Sequence, residues 1–227
     1  MASLPYRPER YGPRALLFRV ALEAGPDALR RRLALEAALA ARPPPGLIEV
    51  TPGFTTLLLE FEDARSALAA AEGLDRGILR DPGWFEAPAG RLVEIPVRYD
   101  GPDLARVAGH TGLPPGEVAR RHAAVEYLVA LLGFAPGFPY LLGLDPALHT
   151  PRLDSPRTRV PAGSVAIGGG HAGIYPAELP GGWNLIGRTE VALVRGAGEA
   201  SAKEAFLLAP GDRVRFVPVG KPPARHA

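Results

Sequence analysis

At 227 residues the chain has room for one large or two modest domains with a true core, and 47% hydrophobic against 22% charged residues fits a globular protein in water. No apolar run approaches the length that crosses a bilayer, and 26 basic residues against 24 acidic leave a net charge of +2, so neither a membrane nor nucleic acid is an expected partner. Cysteine is absent, which excludes disulfides, thiolate metal sites and a cysteine nucleophile.

The start, MASLPYRPERYGPRALLFRV, places prolines and charges ahead of any apolar stretch. That is not a signal-peptide layout, and a cytoplasmic address is expected. Residues 14–22 alternate as a strand, and Pro26-Asp27 opens a helix whose Leu29, Leu33, Ala37 and Ala40 share one face. The run Pro43-Pro44-Pro45-Gly46 stops it. Residues 47–51 and 54–61 form a hairpin around Pro52-Gly53, and Asp63 is placed to cap a second short helix over 64–72. The order is βαββα.

Between Leu74 and Gly90 the pattern dissolves, with Trp84 and Phe85 among turn residues, which marks a domain boundary. Two domains are expected, 1–90 and 91–227. The strand over 92–99 either completes the first or opens the second; periodicity does not decide. Residues 102–110 and 114–122 read as short helices, with Gly112 as a stop between them. Short strands are then expected at 127–132, 164–167, 173–175, 183–186, 191–194 and 213–218, separated by Gly and Pro in the manner of a barrel or sandwich.

Four stretches of the second half combine backbone-shaping Gly and Pro with ligand-capable side chains: GFAPGFPYLLGL, PRLDSPRTRVPAGSV, IGGGHAGIYP and PGGWNLIGRT. Glutamine is absent, Asn184 is the one asparagine and nearly every basic residue is arginine, a depletion of thermolabile side chains that suggests a heat-adapted source. It also makes Asn184 notable, since an amide kept here implies a hydrogen-bond pattern that Asp or Ser does not supply.

Taken together, GFAPGFPYLLGLDPAL, PRLDSPRTRVPAGSVAIGGG and GIYPAELPGGWNLIGRT resemble the allophanate hydrolase subunit 1 family, over about residues 92–218. That family includes the B component of bacterial 5-oxoprolinase, the KipI-type kinase inhibitors and fused parts of urea carboxylase carboxyltransferase regions. The resemblance implies a ferredoxin-like α+β N-terminal lobe and a mainly-β, cyclophilin-like C-terminal barrel with the quoted loops at its mouth. It implies ATP-dependent opening of 5-oxoproline to glutamate within a complex. The implied partners are an allophanate hydrolase subunit 2-like protein, the C component of 5-oxoprolinase, and a LamB/YcsF-type protein, its A component. ATP with Mg would be used by the complex, with no cofactor bound by this chain alone; the alternative partner is a sensor histidine kinase. Two departures stand out. The family's Gly-Gly-Glu-Phe is absent before Gly101, and its usual Gln-Thr is replaced by His171-Ala172.

Among single residues, His122 titrates near neutrality and is the candidate general acid or base, against a core or capping role at the end of its helix. With Glu126 it has metal-ligand spacing but lacks a third ligand, so no metal is expected. Arg157 and Arg188 are candidate clamps for a carboxylate or phosphate, whereas Arg152 and Arg159 fit the reading of surface arginines better. Gly169, within Gly168-Gly169-Gly170, reads as a hairpin turn rather than a phosphate loop, because no Gly-Lys-Ser/Thr follows. Ser164 lacks a nucleophile-elbow frame and is expected to orient a ligand by one hydrogen bond. Phe134, Phe138 and Tyr140, fixed by Pro136, Gly137 and Pro139, are expected to wall a concavity with Tyr175, Trp183 and Asn184, facing ligand or partner.

Overall fold

A computed structural model describes residues 8–76, 90–195 and 205–220. Trp84, Phe85 and the end from Lys221 lie outside the described residues. Contacts divide the chain into two units, Met1–Ala89 and Gly90–Ala227.

The first unit runs β1 (Glu9–Arg10), β2 (Ala15–Arg19), α1 (Pro26–Ala41), β3 (Leu47–Pro52), β4 (Thr56–Phe61) and α2 (Ala64–Arg76). After β1, this is the predicted βαββα order. Pro26 begins α1, where a missing N–H costs nothing, and the Asp63 carboxylate accepts the Ser66 N–H at 2.7 Å to cap α2. The four strands are antiparallel in the order β1-β2-β4-β3. Leu16 and Phe18 of β2 and Leu57, Leu59 and Phe61 of β4 turn inward against Leu35 and Leu39 of α1, as period-two strands meeting an apolar helix face require. Arg32, fully buried, pairs with Glu36 one turn along α1.

The second unit holds β5 (Leu92–Val97), α3 (Leu104–Thr111), α4 (Pro115–Ala123), β6 (Glu126–Leu132), β7 (Pro139–Leu142), β8 (Arg157–Val160), β9 (Ser164–Gly168), β10 (His171–Ile174), β11 (Leu179–Gly181), β12 (Asn184–Arg188) and β13 (Arg213–Pro218). Seven strands form one sheet in the order β12-β9-β10-β7-β6-β13-β5, and β8 with β11 forms a separate pair. β5 lies parallel to β13, which places the strand that periodicity left open in this unit.

The sheet curls until its ends meet. Arg98 and Arg188 exchange two backbone hydrogen bonds of 2.9 Å, and just beyond them the Gly101 N–H reaches Ile186 O at 3.2 Å and the Asp103 N–H reaches Leu185 O at 2.9 Å. Gly101 is required at this seam, because a Cβ there would stand 2.3 Å from Leu185 O. The main core lies on one sheet face, with Ile95, Val97, Val129, Val165, Ile167, Ile186, Val214 and Phe216 packed with Val107 of α3 and Val118 of α4. β9 is buried along its whole length, so after Ser164 the run VAIG is continuously apolar rather than alternating.

Besides β1, three strands went unpredicted in the second unit, since β7, β8 and β11 each lie in a proline-containing stretch. Pro139 opens β7, a position that needs no ladder donor. Residues 191–194, expected as a strand, supply only the single bridge from Val194 to Phe206.

Candidate functional site

Residues Ala135 to Phe138 make a tight turn: the Phe138 N–H donates to Ala135 O at 3.0 Å, with Pro136 and Gly137 at its centre and Gly137 at φ 81°. This is the type II pattern, in which proline pre-sets the first corner and glycine supplies the left-handed second. Phe134 just before it sits at φ 68°, which no other non-glycine among the described residues does. An aromatic residue held there stores roughly 1–2 kcal/mol of strain. The residue is 60% exposed, and its ring meets Phe138 edge-to-face at 5.5 Å. A hollow of about 380 Å³ opens beside it, lined by Leu132, Phe134, Pro136, Gly137 and Phe206 among others.

The aromatic residues from distant stretches do converge. Phe138 lies 5.2 Å from Tyr175, 5.1 Å from Tyr140 and 5.5 Å from Trp183, all edge-to-face, and Tyr140 stands 5.8 Å from Trp183. Val160, Ala166, Leu179 and Leu185 complete the cluster. Ala166 and Leu185 face it while their neighbours Val165, Ile167 and Ile186 face the main core. The expected open barrel mouth is therefore corrected to a small second core on the opposite sheet face, because Phe138, Tyr175 and Trp183 are almost wholly buried. Of the aromatic residues around Phe138, Phe134, exposed, and Tyr140, half-buried, are the ones that offer surface to a ligand.

Glycines make room for this packing. A Cβ at Gly168 would stand 2.5 Å from the Trp183 ring, and one at Gly181 2.1 Å from the Tyr175 hydroxyl. Gly169, φ 61°, turns the β9–β10 hairpin with nothing within 4 Å of its would-be Cβ, so a ligand can approach it. Burial pushes the Tyr175 hydroxyl up, against a hydrogen bond with the Trp183 backbone that acts the other way.

The polar candidates divide. Arg157 reaches the cluster, its guanidinium near Trp183 O at 3.5 Å, but Nη2 is engaged by Asp103 at 2.6 Å. The other Asp103 oxygen accepts the Leu185 N–H at 2.7 Å. The expected ligand clamp is thus first a brace. Arg188 does not join the cluster, since it pairs with Asp100 at 2.9 Å beside a shallow groove lined by Pro96, Arg98, Thr189, Glu190 and Val219. Ser164 does not face a ligand either, as its hydroxyl donates to Pro161 O at 2.7 Å.

Asn184 is fully buried and ties three segments. Its Nδ2 donates to Pro151 O at 2.9 Å and Ile167 O at 3.2 Å, and its Oδ1 accepts from Arg106. This explains the retained amide: a carboxylate or hydroxyl cannot donate to both carbonyls while accepting from the arginine. The role is structural rather than ligand-binding. Asn184→Asp is expected to cost about 2 kcal/mol by removing the amide donor to Ile167 O and leaving Pro151 O only the long Arg106 contact at 3.4 Å, read as a lower urea midpoint at unchanged slope.

His122 is corrected most sharply. It is wholly buried between Tyr127 and Phe216, stacked on Phe216 at 4.7 Å, with Nδ1 2.8 Å from the Tyr99 hydroxyl and no hydrogen-bond partner for Nε2 among the described residues. It has no route to a substrate in this conformation. Burial pushes its pKa down to about 3. A histidine depressed on folding charges more readily when unfolded, so its penalty is absent above pH 6.5 and grows as pH falls from there toward about 3. The His122→Phe variant is expected to lose less stability over that window, by about 1.4 kcal/mol per pH unit relative to the parent. Parallel acid-unfolding curves for the two proteins would contradict this placement of the histidine.

Arg152 is the residue that sequence reasoning undervalued. Its guanidinium carbon lies 5.6 Å from the Trp183 ring centroid. In an arginine-rich chain nothing local distinguished it from its neighbours. Among the described residues no group of three or more His, Asp or Glu is placed to hold a metal.

The family described as carboxyltransferase domain, subdomain C and D, matches residues 6–202. The chain is 37% identical to the B component of 5-oxoprolinase from Bacillus subtilis, over 96% of this chain and 95% of that one. It is 47% identical to the protein of the same name from Escherichia coli O157:H7, over 77% of this chain and 79% of that one. The crystal structure of TTHA0988 superposes with a TM-score of 0.74 at 42% identity, covering 93% of this chain and 41% of that longer one. The resemblance carried by the Gly/Pro-rich stretches therefore holds, and the chain belongs to the family of carboxyltransferase domain subdomains C and D.

Proposed function

We propose that this chain is the B component of a multi-component, ATP-dependent 5-oxoprolinase, helping to open 5-oxoproline to glutamate. The observation that carries the reading is the 37% identity to a 5-oxoprolinase B component over 96% of the chain, joined by 47% identity to a second. The partners in this reading are an allophanate hydrolase subunit 2-like C component and a LamB/YcsF-type A component. The chain is inactive alone. ATP with Mg is used by the complex.

The chemistry fits a divided site. Hydrolysis breaks the lactam C–N bond and adds water, and the resonance of that amide is why ATP cleavage is coupled to it. This chain offers aromatic edges at Phe134 and Tyr140 and a guanidinium at Arg152, groups that orient a small ring bearing a carboxylate. The Gly168–Gly170 turn joins two strands and opens no helix, unlike a nucleotide-binding phosphate loop, so the nucleotide is assigned to a partner.

In the same reading the first unit is ferredoxin-like. Its β2-β4-β3 arrangement with two helices matches that pattern, and β1 lies beside β2 where a fourth strand would run. The curled second unit is cyclophilin-like, and the protein acts in the cytoplasm. No helix among the described residues is long and apolar enough to cross a membrane. The kinase-inhibitor alternative draws on the same exposed Phe134 and on no further observation.

The test is reconstitution. Purified chain, combined with the C-component and A-component proteins of the same source, should form glutamate from 5-oxoproline only with ATP and only when all three are present. An equal rate without this chain would overturn the assignment.

A further inference from the structure

The segment from His149 to Leu153 is fixed to the sheet at three points. The Gly169 N–H donates to Thr150 O at 2.9 Å, the Asn184 amide to Pro151 O at 2.9 Å, and the Leu153 N–H to Gly182 O at 2.7 Å. The backbone that carries His149 and Arg152 is therefore fixed to the sheet. His149 lies against the β9–β10 turn, since a Cβ on Gly170 would stand 3.1 Å from its ring. His171 leaves that same turn, paired with Gly168. The Arg152 guanidinium carbon lies over Trp183, 5.6 Å from the ring centroid, a contact that does not use up its N–H donors.

These three groups feel one another. The His171 imidazole is held below its ordinary pKa, first by burial and then by Arg152 and His149. Among the described residues Arg152 enters no ion pair, although this chain pairs many of its arginines, as in Arg91 with Asp212, Arg121 with Asp145, Arg159 with Glu178 and Arg213 with Glu126. Asp145 is close enough to His149 to be influenced by it, but its carboxylate is already engaged by Arg121 at 3.0 Å and by the Ala147 N–H at 2.9 Å. Positive potential is thus concentrated beside the half-buried Tyr140 and Trp183 without a committed acid. A divalent metal is disfavoured there, because the guanidinium repels it and only two imidazoles could ligate it.

We propose that His149, Arg152 and His171 form a binding site for an anionic oxygen group, a carboxylate or a phosphoryl, carried by a small ligand lying beside Tyr140. The site deepens the oxoprolinase reading and rests on it for the ligand's identity, since the lactam carries a carboxylate and ATP supplies phosphoryl groups. Its geometry stands on this chain alone. Arg152 provides the charge, and the imidazoles border the turn where Gly169 leaves the backbone open.

The test uses the purified full chain and the imidazole Cε1–H signals of its five histidines. 5-Oxoproline, inorganic phosphate and, as control, chloride are titrated at constant pH and ionic strength. His149 and His171 should shift saturably while the wholly buried His122 stays still. The Arg152→Met variant, checked for an unchanged melting midpoint, should weaken the apparent affinity at least tenfold, and His171→Gln should keep part of it. Saturation by 5-oxoproline alone assigns a carboxylate; saturation by phosphate alone assigns a phosphoryl group. No saturable shift from either into the tens of millimolar, or equal shifts in Arg152→Met, would overturn the proposal. The titration needs neither partner protein nor turnover. It can succeed where reconstitution fails, which would leave the anion site standing and remove the oxoprolinase reading.

Discussion

Replacing Asp103 by alanine is expected to lower the thermal midpoint by roughly 10 °C, from about 3 kcal/mol of lost stability at about 3 °C per kcal/mol. One carboxylate holds two parts of the site, the Arg157 guanidinium at 2.6 Å and the buried Leu185 N–H at 2.7 Å. Alanine leaves an N–H of the sheet seam without its partner and an arginine without its counter-charge, beside Trp183. The Arg157 side chain is 30% exposed, so solvent softens its share, and the buried N–H carries most of the cost. Asp103→Asn keeps an acceptor for Leu185 and should fall between the two. Differential scanning calorimetry reads both, and an unchanged midpoint for Asp103→Ala would mean that the seam is held elsewhere.

Gly101→Ala is expected to cost about 3 kcal/mol or more, because the new methyl would meet Leu185 O at 2.3 Å and Gly187 N at 2.5 Å. Both are backbone atoms of β12 and neither can rotate away, so the ends of the curled sheet must part. Gly169→Ala makes the contrast. It too places a Cβ where glycine was, but in open space at φ 61°, and should cost only about 1 kcal/mol of left-handed strain. Urea unfolding of the pair separates a steric seam from a strained turn, and equal losses would contradict the difference in their surroundings.

Much of this fold was legible because local chemistry and tertiary context agree. Pro26, Asp63 and Gly112 punctuate helices where capping rules place them. The apolar runs of β6, β9 and β13 are strands, as read from their composition. The missed strands β7, β8 and β11 share a cause, in that proline was read as a break in pairing. Pro139 starts β7 at a position where no donor is needed, and Pro180 sits inside the short β11. The partner of β5 was not legible either, since β13 lies far along the chain and nothing local distinguishes a strand that closes one sheet from one that extends another.

The site was legible as a set of aromatic residues and not as a set of polar roles. Phe138, Tyr140, Tyr175 and Trp183 meet because Gly168, Gly173 and Gly181 leave room for rings, and those glycines stand in the sequence beside them. The polar residues were misassigned where a distant partner claims them: Arg157 by Asp103, Arg188 by Asp100, Ser164 by Pro161, and His122 by the aromatic residues around it. Arg152 was read as a surface arginine and His149 went unnamed, because what singles them out is the three-point attachment of their segment, which exists only after β9, β10 and β12 have come together.

The central claim is that this chain supplies a ligand-facing surface to lactam opening and is more than a scaffold for its partners. The most direct measurement is glutamate formation by the reconstituted complex carrying the Tyr140→Ala/Arg152→Met double variant, with assembly and melting midpoint verified. The account predicts a fall in kcat/KM of about 100-fold, near 2.7 kcal/mol of lost transition-state stabilisation. Parent-level kcat/KM from an intact complex would contradict it.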